Sequence, residues 1–373
     1  MPAASMADGA AGAILQVDLG AIVGNWRLLC ARHRSGAVAG VVKANAYGLG
    51  AARVAQALLA AGCRHFFTAT LEEALALRPH LRRETEGGAM LAVLSGLTPG
   101  TEAVYRAQEL IPVLGAAEEI ALWQGFARQT GARQPAILHV DTGMARLGLS
   151  PAEVAALAGD PGRLEGIALR YVMTHLVAAE IAADPMNRIQ RQRFAAACAA
   201  LPVASRSFAN SSGIFLGADF ASDLARPGAA LYGINPTPDA PNPMRRTVRL
   251  IARVQQVRTI PPGTPVGYNA TWKAARESRI ATVALGYADG WHRSRAGTTL
   301  AFFDGRAVPL VGRISMDLTT FDVTEHPAIT PGTWLELLGT GRDPDAVAAA
   351  SGSNGYEVLT SLAPRIQRQY LGQ

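Results

Sequence analysis

The sequence predicts an α/β protein: an N-terminal (β/α)8 TIM-like barrel over residues 1–238, followed by a mostly-β domain over residues 239–373. Three features predict it. Short apolar runs alternate with helix-period segments from Gly40 to about Tyr232, a proline-rich stretch interrupts the alternation at Asn235–Pro243, and the hydrophobic period changes after it.

The apolar runs are Val38–Lys43, Arg64–Ala69, Met90–Ser95, Leu110–Leu114, Ala136–Asp141, Leu169–Thr174, Arg206–Asn210 and, less distinctly, Asp223–Arg226. Eight runs match the strand number of a closed barrel; a doubly wound open sheet is the alternative. Helix starts lie between them. Ser150-Pro151-Ala152-Glu153 has the capping-box pattern with proline at the first helical position, and Ala116–Gln129 carries apolar residues at helical spacing. The segment Asn235-Pro236-Thr237-Pro238-Asp239-Ala240-Pro241-Asn242-Pro243 continues neither regular structure and reads as a linker. Beyond it, Val248–Val254, Arg279–Leu285, Thr299–Phe303, Val308–Val311 and Thr333–Leu338 are β-type segments divided by Pro-Gly and Asp-Gly turns. The chain's first strand is a candidate to pack with this β domain.

Composition narrows the function classes. At 373 residues and 49% hydrophobic, the chain can bury more than one core. A net charge of +6, spread over scattered arginines without aromatic interleaving, suits anionic small molecules and argues against nucleic acid. Cys30, Cys63 and Cys198 are odd in number and form no CxxC pair, which predicts a reducing, cytoplasmic setting. The seven histidines show no metal-ligand spacing, so no metal is expected. Met1–Gly12 lacks the basic residues of a signal peptide, and the apolar stretch after it stops at Asp18, so no membrane association is expected.

Only two of the 35 basic residues are lysines, Lys43 and Lys273. Lys43 ends the first apolar run. In a chain that writes its cations as arginine, a lysine at a strand end suggests chemistry closed to guanidinium: Schiff-base formation, or proton transfer by an amine whose pKa burial has lowered. A snorkelling lysine is the bland reading. Its context is Val41-Val42-Lys43-Ala44-Asn45-Ala46-Tyr47-Gly48-Leu49-Gly50, where a strand hands over to a loop and helix, the position at which parallel α/β proteins build active sites.

This segment resembles the cofactor-binding signature of the alanine racemase family, in which the lysine carries pyridoxal 5'-phosphate in Schiff-base linkage. Further segments extend the resemblance over nearly the whole chain. In Val140-Asp141-Thr142-Gly143-Met144-Ala145-Arg146, the resemblance assigns Arg146 to the substrate carboxylate, which a guanidinium fits by geometry. Thr174-His175 and Ala209-Asn210-Ser211-Ser212 match segments whose histidine lies beside the cofactor ring and whose asparagine and serine belong to the cofactor site; taken alone, His175 reads as a packed residue and Ser211 as a helix cap.

In Leu224-Ala225-Arg226-Pro227-Gly228-Ala229, the resemblance points Arg226 at the pyridine nitrogen. Gly228 and Ala229 would offer backbone N–H groups to the phosphate if the eighth strand ends at Arg226; the alternative makes Ala229–Tyr232 the strand. Tyr268 corresponds to a second base that crosses a dimer interface, Met316 to a backbone contact with the carboxylate, and Tyr356, like Tyr47, to a cofactor contact. Two departures stand out. His139 replaces a lysine that is often carbamylated and bonded to the arginine, so Arg146 needs another support, and Ser315 replaces a frequent cysteine.

The resemblance therefore implies a homodimer with shared active sites that interconverts L- and D-alanine and supplies D-alanine for peptidoglycan. Lys43 would serve the D-isomer and Tyr268 the L-isomer. A broad-specificity racemase and a pyridoxal-phosphate carrier without turnover are the alternatives. The carrier lacks the β domain that holds Tyr268 and Met316. A basic amino-acid decarboxylase is disfavoured because its cysteine motif is missing.

Overall fold

The computed structural model describes residues 11–202, 204–297 and 300–372. The readings of Met1–Ala10 and of Thr299 lie outside them. The chain divides into two compact units. Among the described residues, one holds 22–46 and 50–245; the other holds 11–21, 47–49 and those from Arg246 onward.

The first unit is a nine-strand parallel barrel with helices between strands. All eight predicted runs contribute. His65–Thr68, Met90–Val93, Leu110–Leu114, Gln134–His139, Ile167–Met173, Ser205–Ser207 and Leu224–Ala225 follow one another in the sheet. The ninth strand arises because the first run is split at Ala39. Ala37–Val38 pairs with Leu224–Ala225, whereas Gly40–Val41 pairs with His65–Thr68. Bonds from Ala39 N–H to Ala225 O (2.9 Å) and from Val41 N–H to Pro227 O (3.2 Å) carry the ladder past the split.

Ala39, Val41, Phe67, Met90, Ile111 and Ile137 share the interior cluster. Each large apolar side chain there contributes about 1.5–3 kcal/mol on burial. Between strands, Ser150 and Glu153 form the expected capping box before the helix Pro151–Gly159. The segment Ala229–Tyr232 is a single 3-10 turn, so the strand ends before Arg226. The proline-rich segment is anchored in the barrel unit: Asn242 donates to Gly233 O (2.9 Å), and Met244 is buried.

The second unit is built on the 13-residue strand Val248–Ile260. It pairs antiparallel with Ala13–Asp18, Trp334–Leu338 and Ser278–Val283. A register shift between Val254 and Gln256 marks a bulge in the pairing with Ser278–Val283. Gln367–Leu371 adds a strand parallel to Ala13–Asp18. Two short helices, Pro344–Ala350 and Gly355–Thr360, complete a mostly-β domain.

Among the described residues no helix is long and apolar enough to cross a membrane, and no group of three His, Cys, Asp or Glu side chains could hold a metal. Cys30, Cys63 and Cys198 are free.

Candidate active site

The parallel barrel strands all end at one rim, and there the chain leaves Val42 for Lys43 and an unusual turn. Ala44, Asn45, Ala46 and Tyr47 all adopt left-handed backbone, with φ of 50°, 54°, 54° and 55°. For L-residues this conformation costs about 1–2 kcal/mol each, and a run of four persists only where its surroundings over-determine it. The bonds that hold it are specific. Ala44 N–H donates to Glu73 Oε1 (2.7 Å), Ala46 N–H to Val42 O (2.8 Å), and Gly50 N–H to Asn45 O (2.9 Å). The Asn45 side chain accepts from Ala51 N–H (2.8 Å) at the start of the next helix. Glu73 spends its second oxygen on Ala69 N–H (2.8 Å), tying the turn to the adjacent strand end.

Lys43 is half-buried. Burial lowers its amine below the ordinary lysine range, the Arg146 charge pushes the same way, and Glu73 opposes both. An amine so depressed spends more time neutral, as a nucleophile or base must.

Arg226 follows the last strand and is buried. Its guanidinium donates to the Ser207 hydroxyl and to Thr174 O, and its backbone N–H to Ala209 O (2.8 Å). Among the described residues no carboxylate pairs with it. Burial pushes its pKa down to about 10, which leaves it charged at neutral pH. That unneutralised charge shapes its neighbours. His139 is depressed to about 4 and His175 to about 3, in both cases by burial first and by Arg226 next. Both imidazoles are therefore neutral in the working range and cannot act as cations.

Arg146 sits on the loop Asp141–Gly148. The loop is closed at its base by Leu149 N–H to His139 O (2.8 Å) and Asp141 N–H to Leu149 O (2.9 Å). The Asp141 carboxylate accepts from Gly143 (2.9 Å), Met144 (2.9 Å) and Ala145 (3.1 Å) N–H groups. Burial alone would raise this carboxyl, but the three bonds outweigh it and hold it below the usual range. Arg146 itself is exposed.

At the same rim, beyond the last two strands, Ser211 Oγ accepts from Gly228 N–H (3.1 Å) and Ala230 N–H (3.2 Å). Its own proton stays available, and Ala229 N–H has no partner among the described residues. Asn210 braces the same loop through Gly213 N–H (2.9 Å) and Leu176 O (3.3 Å).

The barrel unit thus gathers Lys43, Arg146, His175, Asn210, Ser211, Arg226, Gly228 and Ala229 at its strand ends, with His139 among them. The remaining predicted residues belong to the second unit. Tyr47 and Tyr356 meet edge to face at 6.5 Å, and burial raises the Tyr47 hydroxyl to about 12. Tyr268 rides a hairpin in which Val266 pairs with Trp272, and 63% of its surface is exposed. Met316 is 53% exposed, and its N–H has no partner among the described residues. Lys273 is exposed in the same hairpin.

Sequence reasoning missed Glu73. The Thr70-x-x-Glu73 spacing signals a helix cap, and Thr70 does accept from Glu73 N–H (3.3 Å). Nothing in the spacing announces the reach of Glu73 to Ala44.

The family model for the alanine racemase N-terminal domain matches residues 17–236, and that for the C-terminal domain matches residues 247–370. An alanine racemase of Acidiphilium cryptum is 56% identical over 354 residues, 95% of this chain and 97% of the relative. A catabolic alanine racemase of Mesorhizobium japonicum is 47% identical, covering 98% and 95%. Among solved structures, alanine racemase of Bartonella henselae with covalently bound pyridoxal phosphate superposes with a TM-score of 0.92 at 40% identity, over 97% of this chain and 100% of that one. Two family models that together span the chain, and relatives aligned end to end, place the chain in the alanine racemase family.

Proposed function

We propose that this protein interconverts L- and D-alanine with pyridoxal 5'-phosphate held on Lys43. One observation carries the reading: an amine depressed by burial and by Arg146 stands at a barrel-strand end, in a site that also holds the buried Arg226, with which no carboxylate pairs among the described residues. The donor set fits the cofactor. Lys43 offers the amine, Ser211 its hydroxyl proton and Ala229 its backbone N–H for phosphate oxygens; Gly228, Asn210, His175, Tyr47 and Tyr356 complete the site in this reading. The cofactor, when bound, would supply an electrophilic carbon that exchanges the Lys43 amine for that of an amino acid, and a conjugated ring that delocalises the charge left by a departing α-proton.

The protein's own residues do the rest. A guanidinium at Arg146 and the N–H of Met316 bind the substrate carboxylate. Arg226 stays cationic at neutral pH and so disfavours a proton on a pyridine nitrogen that faces it, which limits side reactions. Inversion needs a proton removed from one face of Cα and delivered to the other, hence two bases. Lys43 serves the D-isomer and Tyr268 the L-isomer.

Tyr268 comes from the β domain (residues 239–373) of a second copy, facing the barrel (residues 1–238) that holds the cofactor. Exposed apolar groups support such a homodimer. The β unit presents Tyr268, Tyr287, Met316 and Leu318, and the barrel unit presents Leu147, Val177 and Ile181. Three free, separated cysteines agree with a cytoplasmic setting, where D-alanine serves peptidoglycan synthesis in this reading.

The test is chiral chromatography after incubating pure protein with a panel of L-amino acids. Racemization confined to alanine is expected. Comparable turnover of several amino acids would favour a broad-specificity racemase, and no turnover with cofactor bound would favour a carrier.

A further inference from the structure

The helix Pro185–Ala200 contributes no residue to the candidate site, yet its glutamine at position 190 is fully buried and bonded to two of the loops that build it. Gln190 Nε2 donates to Thr142 Oγ1 (3.0 Å) and to His175 O (2.9 Å), and Oε1 accepts from Val177 N–H (2.9 Å). The orientation of the amide is fixed by chemistry: a backbone N–H only donates and a carbonyl only accepts.

Thr142 Oγ1 also shares a hydrogen bond with Thr174 Oγ1 at 2.8 Å, in which either hydroxyl can donate, and Thr174 O in turn receives the Arg226 guanidinium. One side chain is therefore the hub of a chain of bonds joining the Arg146 loop, the His175 segment and Arg226. The same helix face reinforces the contact. Arg193 donates to Thr142 O (3.0 Å), and a Cβ at Gly143 would stand 2.8 Å from Met186 Cε, so the loop lies flush on the stripe Met186, Gln190, Arg193.

We infer that Gln190 is a positioning residue of the active site, setting the Arg146 loop in register with His175 and Arg226 without touching substrate. The inference rests on the proposed reading of the site as a racemase's. An apolar side chain of similar size at position 190 would strip His175 O and Val177 N–H of their partner and leave Thr142 Oγ1 with only its bond to Thr174, so that both loops are freer to rearrange. The same helix in a purely structural role would affect global stability alone.

The test compares holoenzyme variants by hydrogen exchange of the peptides covering 141–149 and 174–178, together with alanine kinetics. Gln190→Met should accelerate exchange in both peptides about tenfold or more relative to the rest of the barrel, and raise KM for alanine by about tenfold with a smaller loss in kcat. Thr142→Val should reproduce the KM effect, and Thr142→Ser, which keeps the hydroxyl, should stay within about threefold of wild type. Wild-type exchange in both peptides with unchanged KM would overturn the inference, as would a lowered melting temperature with neither effect. A wild-type protein without racemase activity would instead overturn the functional reading, and the exchange data would still decide whether Gln190 anchors the loops.

Discussion

Glu73→Gln is the perturbation with the most readable consequence, because Glu73 latches the turn after Lys43 and also balances the charge on its amine. One carboxylate oxygen holds Ala44 N–H at 2.7 Å and the other holds Ala69 N–H at 2.8 Å. A carboxamide has one acceptor oxygen, so one of these N–H groups would face a second donor. Losing one charge-assisted bond costs about 1.5–3 kcal/mol, the lower end applying to the solvent-exposed Ala44 N–H. The turn it restrains carries four left-handed residues, about 4–8 kcal/mol of conformational cost, so the loss should appear as local opening.

The electrostatic effect has a definite sign. Glu73 is the one group that raises the Lys43 pKa, so its neutralisation should lower the amine further. With only two lysines in the chain, [ε-13C]lysine apoprotein gives two resonances, and Lys273→Arg assigns them. Titration should place Lys43 below the ordinary lysine range in wild type and lower still in Glu73→Gln, while urea unfolding reports the stability loss. A Lys43 resonance that titrates unchanged or higher, with stability within about 0.5 kcal/mol of wild type, would refute the latch.

Three further outcomes are expected. Mixing inactive Lys43→Ala and Tyr268→Phe chains should restore about a quarter of wild-type sites, since half of randomly exchanged dimers are mixed and each has one intact site in two; no recovery despite exchange seen by native mass spectrometry would mean the two residues act within one chain. Arg226→Glu should slow racemization roughly 100-fold and let a long-wavelength absorbance band build up during turnover; an unchanged rate and spectrum would remove Arg226 from the electronic tuning of the ring. Stability should fall as pH drops from 6.5 toward 4, because the unfolded chain takes up protons that His139 and His175 refuse until about 4 and about 3. His139→Gln should recover at most about 2 kcal/mol of the loss between pH 6.5 and 5 in urea titrations, and an unaltered pH slope would contradict the depression of His139.

The parts of this molecule that were legible in the sequence are those where local pattern and tertiary role coincide. Barrel strands such as Met90–Val93 and Leu110–Leu114 are buried on both faces and read as apolar runs, the Ser150 capping box is a purely local bond pair, and Lys43 stands out against a background of arginine. Features set by distant partners were not legible. Ala-Asn-Ala-Tyr carries no glycine to mark its left-handed backbone, which exists because Glu73, Val42 and Gly50 impose it.

Gln190 lies in Asn-Arg-Ile-Gln-Arg-Gln-Arg, a stretch that reads as solvated surface, and only the packing of two loops on that helix buries it. The Gln367–Leu371 strand lacks apolar alternation and is recruited by its parallel partner Ala13–Asp18. His139 was visible as a departure from the family pattern, but its neutrality follows from burial beside Arg226, which sequence spacing does not encode.

The central claim, that Lys43 holds pyridoxal 5'-phosphate in an alanine racemase, is tested most directly by borohydride reduction of the holoenzyme followed by peptide mass mapping. The account predicts a pyridoxyl phosphate group on the peptide containing Lys43 and none on the peptide containing Lys273. Label on Lys273, or no covalent label in a protein that racemizes alanine, would contradict it.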